Sequence, residues 1–282
     1  MRRAGGASPY LAAAPLALLF VVAYLVPVVI LAIVSLSSST TGFVFTLDNY
    51  ASALTSGFNA GILGDTLFLG LQVSFFTMLA AYPLGLLYMR CGRRGRALLL
   101  FLILLPMLTN TVVRTFAWMI ILGREGVINS AFLSMGWIEA PLTLLYTRGG
   151  LIVALVQIFL PLMALPINAS LARINDNVLK AAEGLGGSRF YVFRTVILPL
   201  SLPGAIAGFL LTFAGSCTAF VSQTLVGGGR QIFMPLLIYQ QAIGVQKMNE
   251  AAALSVVFAV AIIVLVFLIN RYSRRLLRGV DA

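Results

Sequence analysis

Six long apolar segments with almost no charged side chains constrain the fold of this 282-residue chain more than any other feature. They lie at about 10–35, 65–89, 97–122, 149–171, 203–226 and 251–270. Roughly 20 consecutive apolar residues are enough to span a bilayer as a helix. Only 10% of the residues are charged, against about 25% in soluble domains. The sequence therefore predicts an all-α membrane protein with six transmembrane helices, in one domain over residues 1–282.

Cationic residues between these segments indicate which side of the membrane each connection faces, because Lys and Arg are enriched in cytoplasmic loops. With a cytoplasmic N-terminus, fourteen cationic residues fall inside and four outside, while Arg114 lies within the third segment. The inside set is Arg2, Arg3, Arg90, Arg93, Arg94, Arg96, Arg173, Lys180, Arg189, Arg194, Arg271, Arg274, Arg275 and Arg278, and the outside set is Arg124, Arg148, Arg230 and Lys247. We expect a multi-pass protein of a bacterial-type inner membrane with both termini cytoplasmic.

The composition also limits the chemistry available to the chain. Histidine is absent, only eight carboxylates occur, and the two cysteines are far apart in sequence. Zinc sites and histidine-dependent catalysis need side chains that this set does not offer. The net charge of +11 is scattered singly between apolar segments. We therefore expect no metal, no cofactor and no nucleic acid, and a lipid bilayer as the surrounding medium.

The cytoplasmic connection at 173–200 carries apolar faces outside any span. Two short helical patterns share it, one ending near Leu185 and one starting near Phe190, with three glycines at the junction. One interpretation is a helix that lies on the lipid headgroups, anchored by its arginines. The other is a docking element for a cytoplasmic partner.

The second interpretation gains from a resemblance. The stretch resembles the EAA signature of permease subunits in ABC importers: E-A-A, three residues, G, nine residues, then I-x-L-P. The matching positions are Ala181, Ala182, Gly186, Val196, Leu198 and Pro199. Lys180 replaces the initial glutamate of the signature, so a salt bridge made by that glutamate is not carried over.

This resemblance implies a type I ABC importer permease fold whose cytoplasmic coupling helix enters a groove of an ATP-hydrolysing subunit. The implied coupling residues are Lys180, Ala181, Ala182, Glu183, Gly186, Leu198 and Pro199. The implied partners are two ATP-binding subunits, an extracytoplasmic substrate-binding protein and a second permease, expected to be a homologous but different chain. The chain itself has no G-x-x-x-x-G-K-[ST] motif, so we expect a transport subunit without its own ATPase.

Two further stretches resemble those of spermidine/putrescine-type permeases: PMLTNTVVRTFAW (Pro106–Trp118) and LVGGGRQIFMPLLIYQQ (Leu225–Gln241). The resemblance implies import of a polyamine or a related amine. The same architecture with a phosphonate, an opine or another zwitterionic or anionic solute is the alternative.

Polar and aromatic residues within or beside the spans are the candidates for a substrate path. They are Asp65, Tyr82, Asn110, Arg114, Trp118, Glu125, Gln157 and Gln223. Acidic and aromatic groups favour a cationic solute, whereas Arg114 repels one. For Arg114 the open roles are snorkelling, pairing with Glu125, contact with a substrate anion, and docking of the binding protein. For the amides, hydrogen bonds between helices are an equal alternative.

Two other function classes compete with an importer permease. A secondary transporter or channel predicts internal inverted repeats and buried ion-coupling carboxylates, yet Asp and Glu are nearly absent from the middle of the spans. A membrane scaffold or lipid-facing enzyme is the third class, and an enzyme needs convergent catalytic groups, which this composition makes scarce.

Overall fold

The computed structural model describes residues 9–38 and 44–278, with side chains from Leu18 to Ser273 except those of Asp176 and Glu183. In these residues the regular elements are helices, apart from one isolated bridge between Ser37 and Phe45. Arg2 and Arg3 lie outside the described residues, as do the side chains of Arg274, Arg275 and Arg278. The helical fold class predicted from the sequence is confirmed.

The helices follow one another in this order: α1 Pro9–Ser35, α2 Asp48–Thr55, α3 Gly57–Arg90, α4 Arg93–Leu104, α5 Thr111–Leu122, α6 Val127–Ser134, α7 Arg148–Leu171, α8 Asp176–Gly184, α9 Arg189–Val192, α10 Leu198–Cys217, α11 Phe220–Gly227, α12 Met234–Tyr239 and α13 Met248–Arg278. A 3₁₀ turn at Leu105–Leu108 and π-helical turns at Phe193–Ile197 and Gln240–Gly244 connect some of them.

Six helical stretches in the described part are long and apolar enough to cross a membrane, as the sequence predicts. They are Leu18–Ser35, Gly57–Arg90, Thr111–Ser134, Arg148–Leu171, Arg189–Cys217 and Met248–Ser273.

Two of the apolar segments predicted from the sequence, 97–122 and 203–226, are not the continuous helices that the sequence predicts. The segment at 97–122 is interrupted after Leu104, because Pro106 has no backbone N–H to donate to the preceding turn. Thr109 is extended, and Asn110 starts a new helix by accepting a hydrogen bond from the Val112 backbone. The segment at 203–226 is interrupted at Thr218 and Ala219, between α10 and α11.

The chain divides into two compact units, Met1–Ala60 with Leu237–Val260, and Gly61–Leu236 with Ala261–Ala282. In the first unit, Asn49 donates to the carbonyl oxygens of Ser35 and Ser37. Asn249, in the first turn of α13, also donates to the Ser37 carbonyl, over 2.7 Å. These bonds fasten the start of α13 to the end of α1. The single domain predicted from the sequence stays a prediction.

In the second unit, α7 is the central helix, because it contributes more buried side chains than any other helix to each of two apolar clusters. One cluster combines Leu69 of α3, Leu155 of α7 and Val226 of α11. The other combines Ala81 of α3 and Ile167 of α7 with residues of α4 and α10. The unit is therefore a helical bundle with two apolar centres along one helix.

Glycines bring α10 against α7. A Cβ atom built at Gly208 lies 2.9 Å from the Met163 carbonyl oxygen, and one at Gly204 overlaps the Pro166 carbonyl. Only residues without a side chain permit this approach of the two backbones.

Candidate functional site

The connection at 173–200 forms two short helices at an angle. The first, α8, ends at Gly184, and the second, α9, starts at Arg189 and continues through a π-helical turn into α10. Between them Gly186 has a φ of +83°, a left-handed conformation that side chains disfavour. Ser188 caps α9 by accepting a hydrogen bond from the Tyr191 backbone over 3.2 Å. The two helices and the glycine turn between them agree with the sequence.

The outer surface of this turn is apolar and exposed. Leu185 is 90% exposed and Phe190 71%, whereas Val192 is buried. An open groove lies beside them, lined by Ala182, Gly186, Gly187, Tyr191 and neighbouring residues. The lining thus includes three of the positions that match the EAA signature, Ala182, Gly186 and Val196. The Glu183 side chain lies outside the described part.

Aromatic contacts join this connection to the membrane helices. The ring of Phe193 meets Tyr82 of α3 edge to face, with centroids 6.1 Å apart. The Tyr82 hydroxyl in turn hydrogen-bonds the Ser201 hydroxyl at the start of α10. We call α8, α9 and the residues between them (176–192) the α8–α9 turn. Tyr82, a substrate-path candidate in the sequence, therefore lies at the junction of α3, α10 and the α8–α9 turn.

A separate cavity of about 400 Å³ opens at the two helix interruptions. Arg114 is the one charged residue among its lining side chains. The lining is Met107, Thr111, Arg114, Ile158, Phe159, Leu162, Thr218, Ala219, Phe220, Val221 and Ser222. We call this space the α5–α11 cavity.

Hydrogen bonds hold the α5–α11 cavity open by fixing the helix starts. Thr115 and Ser222, both buried, share a hydrogen bond of 2.9 Å that joins α5 to α11. The Gln223 amide donates to the carbonyl oxygens of Ser216 and Cys217, at the end of α10. Gln223, another sequence candidate, therefore provides hydrogen bonds to carbonyl oxygens at the end of α10, next to the interruption before α11.

The guanidinium of Arg114 is bound at the first interruption. One terminal nitrogen donates to the Pro106 carbonyl over 2.7 Å, and the other lies 3.4 Å from the Thr111 hydroxyl. Its Nε atom is buried without a hydrogen-bond partner. Of the roles open in the sequence, pairing with Glu125 is not observed among the described side chains, whose ion pairs are Arg148–Asp65 and Lys247–Glu250.

The other candidates do not line the α5–α11 cavity. Asp65 of α3 pairs with Arg148 of α7 over 3.3 Å. The indole of Trp118 donates to Gln157 over 3.0 Å, which links α5 to α7. Asn110 caps α5, and Glu125 is exposed in the turn after it.

Sequence reasoning missed Arg148 and the hydroxyls of the cavity. Arg148 donates to Gln72 as well as to Asp65, and its guanidinium lies 5.1 Å from the centre of the Phe68 ring. The spacing of Asp65, Phe68 and Gln72 on one helical face was the available signal. Thr111 and Ser222 gave no such signal, because their proximity depends on the helix interruptions.

Comparison with known proteins decides the family. The family described as "Binding-protein-dependent transport system inner membrane component" matches residues 74–281. The chain belongs to this family. It is therefore an inner-membrane permease of an ABC importer, and the exposed α8–α9 turn lies within the matched region.

The relatives of the permease transport different solutes. It is 30% identical over 244 residues to the spermidine/putrescine transport system permease protein PotB of Haemophilus influenzae, covering 86% of the permease and 85% of that relative. It is 30% identical over 220 residues to the molybdenum transport system permease protein ModB of Escherichia coli K12, covering 74% of the permease and 93% of ModB.

A solved structure shares the fold of the permease. A chain of the bacterial alginate ABC transporter, in complex with an alginate pentasaccharide-bound periplasmic protein, superposes with a TM-score of 0.77. The match covers 95% of the permease and 94% of that chain at 18% identity. This likeness confirms the importer permease fold.

Proposed function

We propose that the permease carries a small organic amine, with spermidine and putrescine as the first candidates, through an ATP-driven, binding-protein-dependent importer. The observation that carries this proposal is the 30% identity to PotB, which extends over 86% of the permease. The sequence stretches that resemble polyamine permeases, Pro106–Trp118 and Leu225–Gln241, lie within the region that the family matches. ModB, which is also 30% identical, belongs to a molybdenum transport system, so relatives at this level of identity transport different solutes.

The exposed α8–α9 turn supports coupling to a separate ATPase. Leu185, Phe190 and Tyr191 expose apolar surface beside an open groove, and such a patch marks an interaction site. Phe193 and Tyr82 connect this surface to α3 and α10. In the proposed assembly one of two ATP-binding subunits docks here. A second, homologous permease and an extracytoplasmic binding protein complete the importer. Both termini of the permease face the cytoplasm.

Reconstituted uptake tests this function. The permease is placed in proteoliposomes with the subunits encoded beside it and with the binding protein outside. We expect uptake of radiolabelled putrescine or spermidine that requires ATP inside the vesicle. Uptake should persist when ionophores collapse the proton and sodium gradients. The control is an ATPase partner that binds ATP without hydrolysing it. Uptake that follows an ion gradient and continues with this partner contradicts the proposal.

A further inference from the structure

We propose that the α5–α11 cavity binds an anionic group of the transported solute, so that the substrate is an amine that also carries a carboxylate or a similar oxyanion. This inference rests on the proposed importer function. Among the amines proposed above, it favours a related amine that also carries an oxyanion over spermidine and putrescine. Three observations support it: the charge of Arg114 has no acidic partner among the described side chains, two helices start at the cavity, and the lining contains no carboxylate.

Arg114 supplies a charge that the described residues do not neutralise. The two ion pairs of the described part are Arg148–Asp65 and Lys247–Glu250, and neither includes it. A guanidinium has five N–H donors, and Arg114 directs two of its nitrogens to the Pro106 carbonyl and the Thr111 hydroxyl. Charged side chains within membrane segments normally face a charged partner, a ligand or a water-filled pathway. An oxyanion in the cavity completes this pairing.

The two helix interruptions add to the positive potential of the cavity. Thr111 begins α5 and Phe220 begins α11, and both residues line the cavity. A helix N-terminus carries a partial positive charge, and interrupted helices in transporters direct such ends at anionic groups of their substrates. Asn110 caps the start of α5, whereas Ala219 gives α11 no side-chain cap. The guanidinium of Arg114 and the two helix starts therefore all favour a negatively charged group in the cavity.

The remaining lining suits the amine end of the same solute without attracting a simple polycation. No Asp or Glu belongs to the lining, so a polyamine meets Arg114 with no carboxylate to offset the repulsion. Phe159 and Phe220 line the cavity, and aromatic rings attract ammonium groups. The cavity volume of about 400 Å³ suits a small solute. A zwitterionic amine can place its oxyanion at Arg114 and its ammonium group at the aromatic rings.

Putrescine and ornithine provide a matched pair of probes, because ornithine is putrescine with one added carboxylate. Binding of each radiolabelled probe is measured on the assembled transporter without its binding protein, whose specificity then does not enter. We expect the wild-type complex to bind ornithine more tightly than putrescine. Arg114→Gln should weaken ornithine binding about tenfold to hundredfold, the range of one charge-assisted hydrogen bond, and leave putrescine binding unchanged or stronger.

Two variants separate the site from general effects of charge. Arg114→Lys keeps the charge but loses the planar fork, and should bind ornithine with intermediate affinity. Arg124→Gln removes an exposed arginine outside the cavity lining, with the same change of net charge, and should leave both affinities unaltered. Nanodiscs of phosphatidylcholine with and without phosphatidylglycerol distinguish a substrate anion from a lipid headgroup.

The possible outcomes are distinct. Equal effects of Arg114→Gln on both probes, no preference of the wild type for ornithine, or loss of subunit assembly in both Arg114 variants overturns the proposal. A preference for ornithine that phosphatidylglycerol abolishes assigns the site to a lipid headgroup and also overturns it. ATP-dependent uptake together with any of these results leaves the importer function standing. Carboxylate-dependent binding without ATP-dependent uptake leaves the site standing and contradicts the proposed ATP-driven amine uptake.

Discussion

Gly186 and Gly187 are adjacent in the α8–α9 turn but are needed for different reasons. Gly186 has a φ of +83°, and apart from its chain neighbours no residue lies within 4 Å of the position that a Cβ would occupy, so its requirement is conformational. At Gly187 a Cβ would lie 2.7 Å from the Ala182 carbonyl oxygen, which accepts the Gly187 N–H over 3.1 Å. At that position the requirement is space. Each glycine therefore helps set the angle between the two helices.

Replacing Gly186 with valine should abolish uptake while leaving the permease in the membrane. A left-handed conformation costs an ordinary residue about 1–2 kcal/mol, so the turn is expected to rearrange. The measurement is ATP-dependent uptake, with membrane-inserted permease quantified by immunoblot. Gly184→Ala is the matched control, because Gly184 ends α8 with open space around it, and it should transport normally. Normal uptake by Gly186→Val contradicts the role of this turn in coupling.

At the scale of elements, α7 and α10 form the contact in which backbone approach decides packing. Met163 and Ile167 of α7 are buried against Ala205 of α10, and Gly204 and Gly208 remove the side chains that would separate the helices. In a membrane, close van der Waals packing of this kind stabilises helix pairs, since lipid is as apolar as the side chains. The position of α10, which ends at the interruption before α11, therefore depends on its packing against α7.

Gly208→Val should destabilise this pair by about 1–3 kcal/mol, the usual cost of overpacking. A branched side chain there meets the Met163 backbone, which cannot move without displacing α7. The apparent melting temperature of the detergent-solubilised permease should fall, as followed by fluorescence-detected gel filtration. Gly149→Val on α7 has open space and is the control. A lower melting temperature for the control than for Gly208→Val would contradict the assigned contact.

For the whole molecule, the distribution of cationic residues predicts the orientation in the membrane. The connection at 173–200, which contains the α8–α9 turn, follows α7 and carries Lys180, Arg189 and Arg194. The turn after α6 contains no cationic residue between Ser134 and Thr147. The positive-inside tendency then places the first turn in the cytoplasm, where an ATPase can bind it, and the second outside. Docking and orientation thus depend on each other.

Single cysteines at Ser188 and Ser134 test this orientation. Both residues are exposed. In a background with Cys91→Ala and Cys217→Ala, a membrane-impermeant maleimide should label Ser188→Cys only from the cytoplasmic side and Ser134→Cys only from outside. Intact cells expose the outer face of the membrane to the reagent, and inverted vesicles expose the cytoplasmic face. The reverse labelling pattern would overturn the orientation, and with it the docking of an ATPase on the α8–α9 turn.

The sequence by itself determined the helical class, the six spans and the α8–α9 turn. These features are local: apolar length sets a span, and glycines between short helical patterns set a turn, so each can be found in a stretch of consecutive residues. The spacing of Ala181, Ala182 and Gly186 likewise identifies the family without any distant contact.

Only the tertiary structure decided which polar residues come together. Asp65 forms an ion pair with Arg148, and Trp118 donates a hydrogen bond to Gln157. Arg114 has no acidic partner among the described side chains. Sequence could not pair them, because these partners are on different helices and their proximity depends on how the helices pack. The α5–α11 cavity has the same origin, since it exists only where two interruptions, far apart in the chain, meet in the folded bundle.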